Sequence, residues 1–149
     1  MTNYETTIET SASADHVMRV LTDPAEIRSW SPVPFEVNGL AGDALAAGSE
    51  ARVNGSLAGM SVGFDVTVHA AGTDGLRLTA DGPVSFDVDY GLRPSPTGSE
   101  INAKVRLGRS RGLTSRLLGK AAEAMLAAGA LDHAASRIVV SAEELALAT

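Results

Sequence analysis

Few side chains in this chain are able to do chemistry. The 149-residue sequence has three histidines, two tyrosines, one tryptophan and no cysteine. The lack of cysteine excludes disulfides, thiolate metal sites, iron–sulfur clusters and cysteine nucleophiles together. His16, His69 and His133 fall in three separate segments, without His-x-x-x-His or carboxylate–histidine spacing, so no metal site is expected. Asp65, Asp87 and Asp89 have the residue type for paired acid–base work. They alternate with apolar residues, however, and basic residues fall opposite them, which is the pattern of a solvated charge ladder. Ser56, Ser61 and Ser85 have no neighbouring base, so a serine nucleophile is not supported. The glycines form neither a phosphate loop nor a G-x-G-x-x-G turn after a strand.

Composition bounds the classes further. The length is that of one domain. Hydrophobic residues make up 44% and charged residues 20%, too apolar for a disordered chain. Lys plus Arg is 12 against 18 Asp plus Glu, a formal charge of −6. Neutralising phosphates needs a cationic face, so neither nucleic acid nor an anionic membrane is an expected partner. Residues Met1 to Thr10 have no basic or apolar targeting pattern, and no stretch is long enough to span a bilayer. The expectation is a cytoplasmic protein, monomeric or homodimeric, without stable membrane insertion.

The elements that would position any site follow from periodicity. Tyr4, Thr6 and Ile8 alternate with Glu5, Thr7 and Glu9, an opening strand. Ser13 suits a helix N-cap ahead of the stripe Val17, Val20, Leu21. Asp23-Pro24 starts a second short helix, with Glu26 in capping-box spacing, ending near Trp30 before Ser31-Pro32-Val33-Pro34. From Phe35 to Gly108 the pattern is successive strands. One runs Met60, Val62, Phe64, Val66, Val68 and Ala70. Another runs Val84, Phe86, Val88, Tyr90 and Leu92. Leu76, Leu78 and Ala80 form a shorter run, and Ile101, Ala103, Val105 and Leu107 form the last. Folding about Ser95–Gly98 pairs Leu92 with Ile101 and Phe86 with Leu107, and sets Asp89 against Lys104 and Asp87 against Arg106. A turn at Asp81-Gly82-Pro83 predicts Arg77 opposite Asp87. A turn at Ala58-Gly59 predicts Arg52 opposite Asp65. The apolar faces then share one side of a single antiparallel sheet. Residues 112 to about 147 carry Leu113, Leu117, Ala121, Ala128, Leu131, Ile138, Ala142 and Leu145 at helical spacing. Unbroken, that helix would be roughly 50 Å long, so a bend or break is expected at Gly119 or Gly129.

Strand, two short helices, about six strands and a long terminal helix carry recognisable markers. They are "SADHVMRVLTDPAEIRSWSP", the Gly48 start of "GSEARV", "DYGLRPSPTGSEI" and "ALDHAASRIVVSAEE". Over essentially its whole length the chain resembles the START/Bet v 1-like (SRPBCC) superfamily, in particular its polyketide cyclase/dehydrase and lipid-transport branch. The resemblance implies an α+β helix-grip fold, a curved sheet of about seven strands wrapped around the C-terminal helix. It also implies an apolar cavity between them for a lipid, polyketide or isoprenoid-like molecule, and no cofactor.

The expected wall comprises Trp30, Phe35, Val53, Phe64, Phe86, Val88, Tyr90, Leu117, Ala121 and Met125, with Met60, Val62, Val66, Val68, Leu78, Ala103 and Val105 also facing inward. Tyr90 is the one inward titratable group, able either to orient a ligand or to bond a buried backbone group. Trp30 either walls the entrance or pins its helix. Phe35 lines the mouth or fills core. Arg109, Arg111, Arg116 and Lys120 either hold an anionic head group or a carrier's phosphopantetheine, or form a solvated face. Alanines 121, 122, 124, 127 and 128 either leave room for a ligand or let the helix pack closely. The chain is expected to bind a ligand without catalysis. The alternatives are a cyclase, aromatase or dehydrase, and an interaction module with a filled interior.

Overall fold

The computed structural model describes residues 2–31, 35–40, 42, 44–57, 59–108 and 112–148. Strand β1 (Thr2–Thr10) leads into α1 (Ala14–Thr22) and α2 (Pro24–Trp30). The strands β2 (Phe35–Asn38), β3 (Glu50–Leu57), β4 (Met60–Gly72), β5 (Gly75–Asp81), β6 (Phe86–Ser95) and β7 (Gly98–Leu107) follow. Helices α3 (Gly112–Ala127) and α4 (Ala130–Ala148) close the chain. All seven strands form one antiparallel sheet in the order β1-β7-β6-β5-β4-β3-β2, curved around the helices in a helix-grip arrangement. Pro32–Pro34, Ala58, Arg109 and Arg111, which the sequence reading used for a loop, a turn and a basic cluster, lie outside the described residues.

Cross-strand charge and alternation set most of the register. Leu92 faces Ile101, Tyr90 faces Ala103, Val88 faces Val105 and Phe86 faces Leu107, while Asp87 meets Arg106 and Asp89 meets Lys104. Arg52 faces Asp65 and bonds it at 2.9 Å. Two departures have local causes. Arg77 lies opposite Asp89, and Thr79 opposite Asp87. Residues Gly82 to Ser85 form the turn, so β6 begins at Phe86 and Val84 leaves the strand to become buried core. In β4 the pairing slips between Val68 and Ala70, leaving His69 as an extra residue. That bulge flips the alternation, so Ala70 aligns with Arg77 and Ala71 packs on the core instead.

The helices cap as their sequences dictate, with one exception. The Ser13 side chain accepts from the His16 N–H, and Asp23 accepts from the Ala25 N–H with Pro24 in the first turn. The capping box does not close around Glu26. The Asp23 N–H that it would need already bonds the Arg19 carbonyl, because α1 and α2 share Asp23 as end and start.

The expected long helix is two helices. Gly129 adopts φ 97°, a left-handed conformation that terminates α3. Gly119 lies within α3. Helix α4 buries Leu131, Ala134, Ala135, Ile138 and Ala142, and most of these pack with Val17, Val20 and Leu21 of α1 and the sheet residues Ile101 and Ala103. Helix α3 packs elsewhere. Its Leu118 and Ala122 join Leu57, Val62, Val84 and Leu107 in a second cluster. The apolar stripe expected through Leu113, Leu117 and Ala121 is therefore one residue out of phase. Leu113 is 81% exposed and Leu117 66%, against 2% for Leu118. The tip of the β3–β4 hairpin, not the sheet centre, selects the buried face of α3.

One carboxylate ties the last helix to the first strand. Glu143 Oε2 accepts from Thr10 Oγ1 at 3.0 Å, the Ser11 N–H at 3.1 Å and Ser11 Oγ at 3.2 Å. The Ser11 amide, then the Thr10 hydroxyl, hold this carboxyl below its ordinary value of 4.5. Its contribution is complete above that value and is lost as the pH falls through the lower folded one. Glu143→Gln is expected to cost about 1 kcal/mol at pH 7, because solvent screens the contact. The difference from wild type should shrink in urea melts as the pH is lowered and vanish once this carboxyl is protonated in the folded state. Leu118→Ala should cost about 2–4 kcal/mol, while Leu117→Ala should stay within about 0.5 kcal/mol. Equal losses at the two positions would contradict the observed phase of α3.

Candidate ligand cavity

The inner face of the sheet and the helices line an apolar hollow of about 290 Å³ that is open to solvent on one side. Its floor is Val53, Phe64, Val66, Leu78, Phe86, Val88, Tyr90 and Val105, every second residue of successive strands. Phe64 and Phe86 meet edge to face, with ring centroids 5.6 Å apart. Phe35 and Val37 of β2 form one side. The helical side is mainly Leu21 of α1 with Pro24, Ile27 and Trp30 of α2. Among the described residues of α3 and α4, only Met125 reaches the wall. The hollow thus lies chiefly between the sheet and the α1–α2 pair rather than against the last helix.

Trp30 both pins and walls. A carbonyl near a helix end needs an external partner. Val20 would normally receive the N–H of residue 24, but that residue is Pro24, which has none. The Trp30 indole N–H donates to the Val20 carbonyl at 2.9 Å instead. This locks α2 onto α1 and directs the ring at Tyr90, with centroids 5.9 Å apart and planes at 74°. The neighbouring Thr22 carbonyl accepts from the Leu45 N–H at 2.9 Å, which brings Leu45 onto the cavity wall.

Tyr90 is 5% exposed and is the one titratable side chain among the described lining residues. Among the described residues its hydroxyl has no hydrogen-bond partner. Burial alone pushes the phenol well above its ordinary value of 10.0. The hydroxyl is thus a neutral donor held inside an apolar hollow, suited to a carbonyl or hydroxyl of a ligand.

The structure brings Trp30, Phe35, Val53, Phe64, Phe86, Val88, Tyr90 and Met125 together around this space. Leu117 and Ala121 do not take part. Leu117 points outward, and Ala121 is half-buried beside Ala122 on a helix whose inner face packs on the hairpin tip. The alanines of α3 make no wall either. Ala122 packs closely on the second cluster, and Ala124, Ala127 and Ala128 are exposed. Met60, expected inward, is 40% exposed at its hairpin end. Arg116 and Lys120 are exposed on α3, away from the cavity wall. Pro24, Ile27 and Leu45 were missed from sequence. Pro24 and Ile27 were legible only as helix residues, and the Leu45 contact depends on a long-range bond.

The outer face of the sheet carries the remaining polar chemistry. His69 Nε2 contacts Thr79 Oγ1 at 2.8 Å, and Thr79 donates to Asp87 Oδ1 at 3.0 Å. Arg106 donates to Asp87 Oδ2 at 2.9 and 3.3 Å and holds its carboxyl below the usual range. Lys104 turns to Glu5 at 3.8 Å. Ser85 donates to Asp81 at 2.9 Å. These groups are mutually satisfied in a solvated ladder. Among the described residues there is no cluster of three or more metal-ligating side chains, and no helix is long and apolar enough to cross a membrane.

Comparison with solved structures shows the fold alone. A Thermus thermophilus protein superposes with a TM-score of 0.70 at 13% identity, covering 99% of this chain and 100% of the other. A Rhodobacter sphaeroides protein gives 0.65 at 19% identity, covering 97% and 94%. DynU16, a protein of the dynemicin biosynthetic locus, gives 0.60 at 20% identity over 95% of this chain, which spans 47% of DynU16. No protein-family model and no curated protein sequence matches the chain.

Removing the indole N–H while keeping an aromatic ring, as in Trp30→Phe, is expected to cost about 1–3 kcal/mol, the penalty for a buried carbonyl left unpaired. In alkaline titration the Tyr90 phenol should stay neutral until the chain unfolds. Stability should accordingly fall as the pH rises above the ordinary tyrosine value of 10.0. A Tyr90→Phe chain showing the same alkaline loss would refute that assignment.

Proposed function

We propose that this chain binds a small hydrophobic molecule in the cavity above Phe64, Phe86 and Val88. The carrying observation is a concave, almost wholly apolar lining interrupted by one inward neutral donor, Tyr90. Apolar burial supplies about 25 cal/mol per Å² of affinity, and a single polar group fixes orientation. Capacity follows from volume. A methylene takes up roughly the ~30 Å³ share of a water molecule, so 290 Å³ holds on the order of ten heavy atoms. That suits a medium-length chain or a small isoprenoid or polyketide fragment rather than a two-chain lipid. The START/Bet v 1-like resemblance and the helix-grip frame support the same reading.

A cyclase, aromatase or dehydrase is the second reading. Two observations favour it. The Tyr90 hydroxyl has the placement of a donor to a developing oxyanion, and DynU16, similar in fold, comes from a biosynthetic locus. Against it stands the absence of any acid–base pair among the lining residues.

Native mass spectrometry of freshly purified protein should retain an apolar molecule of about ten heavy atoms, the capacity set by the volume argument. A ligand at 100 times its Kd should add about 2.7 kcal/mol to stability. Val53→Phe, which directs a ring into the hollow, should fold and lose that response. An unchanged response in Val53→Phe would rule the cavity out as the binding place. Tyr90→Phe should weaken binding by less than about tenfold if the chain only binds. A loss of ~100-fold or more in turnover of a polyketide-like substrate would establish catalysis instead.

A further inference from the structure

Beside the cavity lies a second, open cleft at the break between α3 and α4. It runs from the end of α2 to the start of α4, and it shares Ser31 and Met125 with the apolar hollow. Its basic side chains are Arg28, His133 and Arg137, and among the described residues no carboxylate lines it. Arg137 Nε donates to the Ser29 carbonyl at 2.7 Å, which anchors its stem against α2 and leaves the guanidinium ends available. Among the described residues none of these three side chains enters an ion pair. In a chain of net charge −6, two unneutralised arginines beside a histidine run against the average. The left-handed Gly129 creates the cleft by ending α3 and letting α4 restart at Ala130, whose N-terminal end faces the same space.

We propose that the ligand is a single-chain amphiphile with an anionic head. Its apolar chain occupies the hollow and its carboxylate, or an equivalent oxyanion, rests on Arg28, His133 and Arg137. This inference rests on the proposed binding function and names the ligand class for it. Both compartments enter the argument. The apolar volume suits a chain of roughly ten carbons, and the shared wall at Ser31 and Met125 puts the end of that chain beside the basic side chains. A guanidinium fork suits a carboxylate, and charge-assisted bonds are stronger than neutral ones. The basic group that sequence placed at Arg116 and Lys120 lies apart from this wall.

The test compares decanoate with decanol, which share a chain and differ in head. Binding is read from Trp30 fluorescence and by calorimetry on wild type, Arg28→Gln/His133→Gln and Val53→Phe. Arg137 is left intact because it also caps α2. Wild type should bind decanoate at least about tenfold more tightly than decanol, the scale of one charge-assisted bond, and added salt should narrow the gap. The double variant should lose that preference and still bind decanol as wild type does. Val53→Phe should lose both ligands. Equal affinity of wild type for the two ligands, or decanoate binding that survives Arg28→Gln/His133→Gln unchanged, overturns the head-group site and leaves the cavity reading standing. If wild type binds neither ligand, or Val53→Phe binds both as before, the cavity reading falls and the head-group site with it.

Discussion

The C-terminal end of α1 is where the molecule is held open. The last carbonyls there outrun the amides of the helix, and Pro24 removes the amide that would have served Val20. Three of these acceptors bond three different partners. Arg19 takes the Asp23 N–H, Val20 the Trp30 indole and Thr22 the Leu45 N–H. The first bond bends the chain into α2, the second fixes α2 against α1, and the third fastens the β2–β3 connection beside them. Together they hold the helical wall at a set distance from Phe64 and Phe86. A hollow lined by apolar groups gains dispersion energy if its walls move inward. These bonds oppose that collapse, because inward movement of α2 would strip a buried carbonyl of its only donor.

Much of the sheet was legible because two independent signals agreed. Oily residues at every second position and opposite charges on the facing side fixed the β6–β7 and β3–β4 pairings. Where only one signal was present the reading slipped. Arg77 had two acidic candidates, Asp87 and Asp89, and charge alone does not choose between them. The bulge at His69 leaves no mark in an alternating pattern that runs apolar on both sides of it. In α3 two leucines, Leu117 and Leu118, stand side by side and alanine fills much of the following turns, so the pattern carries little phase information and Leu118 was indistinguishable from Leu117. Most of the cavity wall was legible because it is the inner face of the strands. Of the rest only Trp30 and Met125 were legible among the helical residues, since Ile27 and Leu45 arrive there through bonds between distant residues.

The solved structures place these details in proportion. At 13% identity the whole chain still superposes with a TM-score of 0.70. A frame of alternating strands and capped helices tolerates nearly complete replacement of its side chains, because backbone pairing and apolar pattern are enough to specify it. The lining is under no such constraint. Each sequence on this frame can dress the hollow and its rim differently, so function has to be argued from residues such as Tyr90, Trp30, Arg28 and Arg137 of this chain.

The sheet order also imposes a schedule on synthesis. Strand β1 has a single sheet neighbour, β7, with Thr2 aligned to Leu107. The opening strand therefore emerges from the ribosome long before its partner exists. At roughly 5–20 residues per second the wait is on the order of ten seconds. During that time β2 through β6 are able to pair as a growing meander of neighbours, while Tyr4 and Ile8 stay without cover. Such distant pairing is intrinsically slow to form, and the alternating Glu5, Thr7 and Glu9 keep the waiting strand charged and discourage premature association with other nascent chains.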